Sequence, residues 1–328
     1  TFKDRVILAD LPHLVLEAMA IAAWVVGARE GIVYLRHEYA AEREALQSAL
    51  DEATRLGVVG RGALDGRDFH VRLFVSPGGY ILGEETALLE ALEDRRGEPR
   101  LKPPFPTTHG LRGCPTVINN VETLAAVPVI LERGAEWWRR QGRNGAAGLK
   151  FIAVSGDVAR PGVHCVPMGT TVAELIERCG GMAGGVALAG FMPGGVSSNF
   201  LPAARADVPM DFAALQRAGS MLGSGALIVV GAGRDLLALA VNALRFFRNE
   251  SCGKCVPCRV GTHQAVTLLD EALAGRPAAG LPARLAELGA TLGQTSICGL
   301  GQVALQPVLS AMAQFPDQVA TRLVPGKR

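Results

Sequence analysis

Three cysteines stand in one short run, Cys252-Gly-Lys-Cys255-Val-Pro-Cys258, and a fourth, Cys298, lies farther on inside Ser296-Ile-Cys-Gly-Leu-Gly301. Three thiolates at C-x2-C-x2-C spacing on a single loop can reach three corners of a cubane cluster, and a distant fourth cysteine can cap the last iron. A fold that uses them must therefore return residue 298 to the 252–258 loop. Gly253 permits the sharp turn such a loop needs, and Lys254, Arg248 and Arg259 can offset the negative charge of thiolate ligands. Zinc more often takes two separated cysteine pairs. A zinc site and unrelated free thiols nevertheless stand beside the [4Fe–4S] reading as alternatives. Cys114, Cys165 and Cys179 lack partner spacing and read as buried small residues. Seven cysteines, an odd number in a chain of this length, do not suggest a secreted disulfide framework and fit a reducing cytosol with a metal site.

At roughly 100–200 residues per domain, 328 residues make two or three domains, and a 49% hydrophobic content supports a sizeable core. The 33 basic and 31 acidic residues leave a net charge of +2 with no basic run, which argues against binding a nucleic-acid backbone. The apolar stretch from Leu14 to Ala28 is too short to span a bilayer and contains Glu17. The stretch from Gly225 to Phe247 carries Arg234, Asp235 and Arg245. No signal peptide precedes them. The opening residues Thr1-Phe-Lys-Asp-Arg5 read as those of a chain whose beginning is absent.

Along the first half, helix and strand signals alternate. Helices are predicted over 12–28, 38–56, 83–96 and 119–140, and strands over 31–35 and 69–75, the latter ended by Pro77-Gly78-Gly79. This order suggests a partly parallel, helix-covered sheet. A Pro-rich link, Lys102-Pro-Pro-Phe-Pro106, lies between, and a boundary is expected near Gly142–Gly148. Strands at 149–155, 162–167 and 225–231 and one helix at 170–179 then suggest a small β-rich module. Helices at 235–249, 259–273, 283–292 and 303–314 close the chain.

Several long segments, in order, carry a family resemblance. Gly79-Tyr-Ile-Leu-Gly-Glu-Glu-Thr-Ala-Leu88, Pro99-Arg-Leu-Lys-Pro-Pro-Phe-Pro106, Gly113-Cys-Pro-Thr-Val-Ile-Asn-Asn-Val-Glu-Thr123 and Glu250-Ser-Cys-Gly-Lys-Cys-Val-Pro-Cys-Arg-Val-Gly-Thr262 resemble segments of the NADH-binding flavoprotein subunit of respiratory complex I. The β subunit of NAD-dependent formate dehydrogenase and the diaphorase subunit of NAD-reducing hydrogenase share these motifs. The resemblance implies an α/β domain for FMN and NADH over 1–148, a soluble-ligand-binding β-grasp domain over 149–234, and a helical bundle holding a [4Fe–4S] cluster over 235–328. In this family a Gly-rich loop lies upstream of a segment ending in Thr-Phe-Lys-Asp-Arg, so the flavin pocket is expected to be incomplete in a chain beginning at Thr1.

By the same resemblance, Tyr80, Gly83, Glu84, Asn119, Asn120 and Thr123 would contact FMN. Glu85 would face the nicotinamide nucleotide, Lys102 its phosphates, and Phe105 would stack on adenine. Cys252, Cys255, Cys258 and Cys298 would ligate the cluster. Taken alone, Asn119 and Asn120 read as helix caps, Glu84 and Glu85 as first-turn acids complementing a helix dipole, and the Pro-rich link as a stiff spacer. The implied activity is hydride transfer between NADH and FMN, then one-electron transfer through the cluster. The implied partners are a small thioredoxin-like [2Fe–2S] subunit and a larger iron–sulfur electron-transfer subunit. The implied location is the cytoplasm, peripheral to the inner membrane within a complex. A formate dehydrogenase β subunit running the half-reaction toward NADH, and a flavin-free electron-transfer or scaffold paralogue, are the alternatives.

Overall fold

The computed structural model describes residues 2–325. Two helices, α1 (Lys3–Asp10) and α2 (Pro12–Val26), open it. They are bent by 93°, and among the described residues no single helix is long and apolar enough to cross a membrane. Then come β1 (Glu30–Leu35), α3 (Ala40–Arg55), β2 (Gly60–Leu64) and β3 (Arg67–Val75), whose strands form a sheet in the order β1-β3-β2. Strand β1 runs parallel to β3, from Glu30 opposite His70 to Leu35 opposite Val75. Parallel neighbours need a crossover, which α3 supplies, and β2 pairs antiparallel with β3. Apolar side chains from both faces are buried: Leu16, Ala49 and Phe69 in one cluster, Ile7, Val33, Leu46 and Ala125 in another. Strand β2 is not among the predicted elements, because Gly60 and Gly62 dilute its strand signal.

The predicted helix at 83–96 is shorter. A 3₁₀ turn at Tyr80–Gly83 leads into α4 (Glu85–Leu92). After the short α5 (Pro106–His109), the predicted helix at 119–140 becomes α6 (Val121–Arg133) and α7 (Ala135–Arg140), separated at Gly134.

A second sheet follows, built from β4 (Leu149–Gly156), β5 (Gly162–Pro167), β6 (Leu188–Met192), β7 (Leu201–Pro202) and β8 (Ala226–Gly231) in the order β5-β4-β8-β6-β7. Strands β4 and β8 are parallel; the other pairs are antiparallel. Two helices rather than the predicted one belong to this region, α8 (Val172–Arg178) and α9 (Phe212–Arg217). A capping box between Thr171 and Glu174 starts α8. Ile152, Leu175, Phe191 and Leu227 lie in the core. Cys179 is buried here as expected, but Cys165 is exposed on the edge strand β5 and Cys114 is exposed on a loop, so two of the three isolated thiols are not core residues.

The last part is helical: α10 (Leu236–Asn249), α11 (Val256–Leu273), α12 (Leu281–Thr295), α13 (Gly299–Val303) and α14 (Gln306–Gln314). Helix α11 starts earlier than the predicted residue 259 because Pro257 suits a first turn. The predicted helix at 303–314 divides into parts of α13 and α14. Leu237, Leu244, Phe247, Leu269, Leu285 and Val308 share one core with Met192 and Phe200 from the second sheet's region, which fixes the helices against that sheet.

Candidate functional site

Three of the four cysteines lie where helices begin, and Cys252 lies in the loop between α10 and α11. Gly253, at φ +78°, turns the chain after Cys252. Cys255 is the N-cap residue of α11, Cys258 lies in that helix's first turn, and Cys298 is the N-cap residue of α13. The positive end of the long helix α11 favours negative charge on the first two of these. Burial pushes the Cys258 thiol up to about 11, and the nearby Cys255, Cys298 and Cys252 add to the rise. Burial also raises Cys298, against the N–H groups of Leu300 and Gly301, which donate to its sulfur. Such crowded, buried thiols become thiolates at neutral pH when a cationic centre takes them as ligands.

Among the described residues, no three His, Cys, Asp or Glu side chains close on a point that could hold one metal ion. The four thiols are nonetheless electrostatically coupled. A tetrahedral zinc site needs sulfurs about 4 Å apart, given Zn–S bonds of roughly 2.3 Å. In a cubane each thiolate holds a different iron, so the sulfurs stand farther apart. Four thiols, three on one loop and one on a separate segment, match the four corners of a [4Fe–4S] cluster.

Each of the three cations around the loop has a partner of its own. Lys254 donates to the Pro99 carbonyl at 2.7 Å and pairs with Glu98 at 3.1 Å, while Arg248 bonds the side chain of Asn249. Arg259 donates to the Gly253 carbonyl at 2.7 Å. A direct neighbour is Ser251: its Oγ accepts from the Gly253 N–H at 3.3 Å and lies 3.2 Å from Cys258 Sγ. Spacing rules assign Ser251 nothing, because its role depends on the turn.

The segment expected to meet flavin and nucleotide packs beside this loop. The Tyr80 N–H donates to Glu250 Oε2 at 2.8 Å, and its ring meets Phe246 edge-on at 5.0 Å. A side chain at Gly79 or Gly83 would meet no atom within 4 Å, so this backbone borders open space that a ligand could approach. Glu84 caps α4. Its Oε2 accepts from the N–H groups of Thr86 and Ala87, each at 2.9 Å, and its Oε1 lies 3.0 Å from Lys102 Nζ. Lys102 also pairs with Glu85 at 2.6 Å. Burial alone would raise the Glu84 carboxyl, but hydrogen bonds from Thr86 and Ala87 and the Lys102 ammonium leave it below the usual carboxylate range. Burial opposes the Lys102 charge, and Glu85 and Glu84 outweigh it.

Arg100, to which the sequence gives no role, anchors this stretch through its N–H on Thr86 Oγ1 and its guanidinium on Glu93 and the Gly110 carbonyl, each at 2.9 Å. Asn120 belongs to a second group of charges. It caps α6 by accepting the Glu122 N–H at 3.0 Å, accepts from buried Lys3 at 3.0 Å and donates to Asp4 at 3.0 Å. Lys150 pairs with Glu122 beneath it. Asn119 and Phe105 are exposed, the latter at 55%, and so is Thr123. Among the described residues, no hydrogen bond or ion pair ties these three side chains to the Glu84–Glu85–Lys102 group.

The cap makes a stability prediction. Glu84→Ala is expected to cost about 0.5–2 kcal/mol, read by denaturant unfolding at neutral pH. Because folding lowers the Glu84 pKa, its ionic contribution is complete above the ordinary value of 4.5 and is lost as pH falls through the folded value. The difference between wild type and Glu84→Ala should therefore shrink with acidification below that point. A difference that grows on acidification would contradict the assignment.

A family model described as the Nuo51 FMN-binding domain matches residues 1–129. The SLBB domain matches 151–198, and the NADH-ubiquinone oxidoreductase-F iron–sulfur binding region matches 238–322. The second of two F subunits of NADH-quinone oxidoreductase from Rhizobium meliloti is 42% identical over 317 residues, which cover 96% of this chain and 75% of that protein. The corresponding F subunit of Escherichia coli is 40% identical over 97% of this chain and 72% of its own length. A crystal structure of an NAD+-reducing [NiFe]-hydrogenase in the H2-reduced state superposes with a TM-score of 0.89 at 35% identity. That match covers all of this chain, which spans about half (55%) of the hydrogenase chain.

Proposed function

Because this chain belongs to the family of NADH-quinone oxidoreductase F subunits, we propose that it takes electrons from NADH through FMN and passes them singly through a [4Fe–4S] cluster to a partner iron–sulfur subunit. In this reading residues 1–148 form the FMN and NADH domain, 149–234 a β-grasp domain and 235–328 the helical cluster domain; Thr1 and residues 326–328 lie outside the described part. When bound, FMN supplies the hydride-accepting ring that splits an electron pair, and the cluster supplies a one-electron carrier. The chain's own groups bind and orient. Tyr80, Gly83, Glu84, Asn119, Asn120 and Thr123 border the flavin, Glu85 and Lys102 hold the nicotinamide and phosphate ends of the nucleotide, and Phe105 offers an exposed ring for adenine. Cys252, Cys255, Cys258 and Cys298 each hold one iron.

The observation that carries this reading is the bonded seam between the two sites. Tyr80 to Glu250, Arg96 to the Cys252 carbonyl, and Lys254 to Glu98 and Pro99 tie the flavin and nucleotide segment to the cluster loop. Electron transfer needs that fixed proximity. The partners in this reading are a thioredoxin-like [2Fe–2S] subunit and a larger iron–sulfur subunit. Such an assembly would sit peripherally on the cytoplasmic side of the inner membrane. The superposition on the hydrogenase favours a second assembly, in which the same half-reaction runs toward NADH. Flavin and metal analysis of the purified natural protein tests the proposal. It should yield one FMN, about four irons and about four labile sulfides per chain. Stoichiometric zinc without iron would overturn the cluster, and iron without flavin would leave an electron-transfer or scaffold paralogue.

A further inference from the structure

Ser296 is only 6% exposed, and its Oγ is buried without a hydrogen-bond partner among the described residues. Two other buried side-chain atoms share that state, Glu42 Oε2 and Asn199 Oδ1. Both are acceptors on side chains anchored through their other atom, to Arg5 and to the Gly219 carbonyl. Ser296 is the only hydroxyl of the three, and an unsatisfied buried donor points to a missing acceptor.

The local geometry indicates that acceptor. Ser296 follows the end of α12 and precedes Cys298 by two residues, and its carbonyl accepts from Gln302 Nε2 at 3.1 Å, which fixes the turn. A Cβ built on Gly301 would come 2.5 Å from Ser296 Oγ and 3.0 Å from Cys258 Cβ. Only glycine lets the hydroxyl and the Cys258 stem approach the same stretch of backbone. The Gly301 N–H meanwhile donates to Cys298 Sγ. The orphaned hydroxyl therefore stands among the groups that surround two of the four thiols.

We propose that the Ser296 hydroxyl donates a hydrogen bond to the sulfur shell of the cluster and raises its reduction potential, an inference that rests on the four cysteines holding a [4Fe–4S] cluster. A hydrogen bond to sulfur stabilises the more negative, reduced state, and such bonds are among the levers that set the potential. The acceptor is a cysteine sulfur or an inorganic sulfide, both of which are hydrogen-bond acceptors in the reduced cluster.

The test is an EPR-monitored redox titration of the protein in its native complex, with iron measured on the same samples. Ser296→Ala should lower the reduction equilibrium constant about tenfold, a fall of about 59 mV for one electron. Ser296→Thr keeps the hydroxyl and should stay near the wild-type potential. Loss of iron from Ser296→Ala alone, with Ser296→Thr loaded and unshifted, would also support the bond. An unshifted Ser296→Ala, an equal shift in both variants, or loss of the cluster from both would assign the position to packing and overturn the proposal. Wild-type protein without iron would instead remove the cluster reading itself.

Discussion

Cys255→Ser is expected to lose most of the iron and the visible absorbance of the purified protein, while Cys179→Ser keeps both. The two thiols differ in setting rather than chemistry. Cys255 sits at the N-cap position of α11, close enough to Cys258 and Cys298 to raise both thiols. Cys179 is fully buried among Ile152, Val158 and Leu175, with its sulfur 3.4 Å from His164 Nε2. A hydroxyl at 179 can keep the His164 contact, so that variant should lose about 1–3 kcal/mol of stability at most. Removing one cubane ligand also removes binding energy that supports the fold around it, since metal affinity and folding are linked. Cys258, 5% exposed within the helical core, would then lose the iron expected to hold it, so Cys255→Ser should lower the thermal midpoint as well. Iron analysis and a thermal melt check both arms. Equal iron loss in the two variants would show that the ligand set is wrong.

Lys102→Ala is expected to weaken NADH binding by about 1.5–3 kcal/mol, roughly ten- to a hundredfold or slightly more, with iron content unchanged. Lys102 is the cation held between Glu84 and Glu85 at 3.0 and 2.6 Å. Its removal would delete the proposed phosphate partner and leave two adjacent carboxylates facing an anionic ligand. Glu85→Gln removes one charge-assisted contact but relieves that repulsion, so its effect should be smaller. Fluorescence or calorimetric titration with NADH, repeated at two salt concentrations, separates the variants: the Lys102→Ala loss should diminish at higher salt because part of it is repulsion. Unchanged affinity in both would mean that this ion cluster is structural and the nucleotide binds elsewhere.

The four cysteines stand out as candidate cluster ligands because their signal is local: three of four lie in one heptapeptide, and the fourth sits in a short Gly-rich segment of its own. The alternating order of β1, α3 and β3 was legible because each element carries its own periodicity. Other features depend on contacts that no window of sequence contains. Strand β2 is mostly glycine and polar residues and is a strand through its pairing with β3. The separation of α6 from α7 at Gly134 is a backbone event in an otherwise helical composition. Lys254 meets Glu98 and the carbonyl of Pro99, 155 residues away along the chain. Asn120 caps α6 as its plain reading has it, whereas Glu84, read as a first-turn acid, is the cap of α4 and only Glu85 lies in that helix's first turn. Ser296 carried no signal, because its meaning lies in the approach of Gly301 to Cys258.

In the proposed function, electrons from NADH reach the cluster at Cys252, Cys255, Cys258 and Cys298 through bound flavin. An anaerobic NADH titration of the natural protein, with flavin followed by absorbance and the cluster by EPR, tests it most directly. NADH should bleach the flavin and generate the reduced-cluster signal in the same titration, and in Cys255→Ser it should bleach the flavin alone. A cluster that dithionite reduces but NADH does not, in protein carrying its full complement of FMN, would contradict the claim.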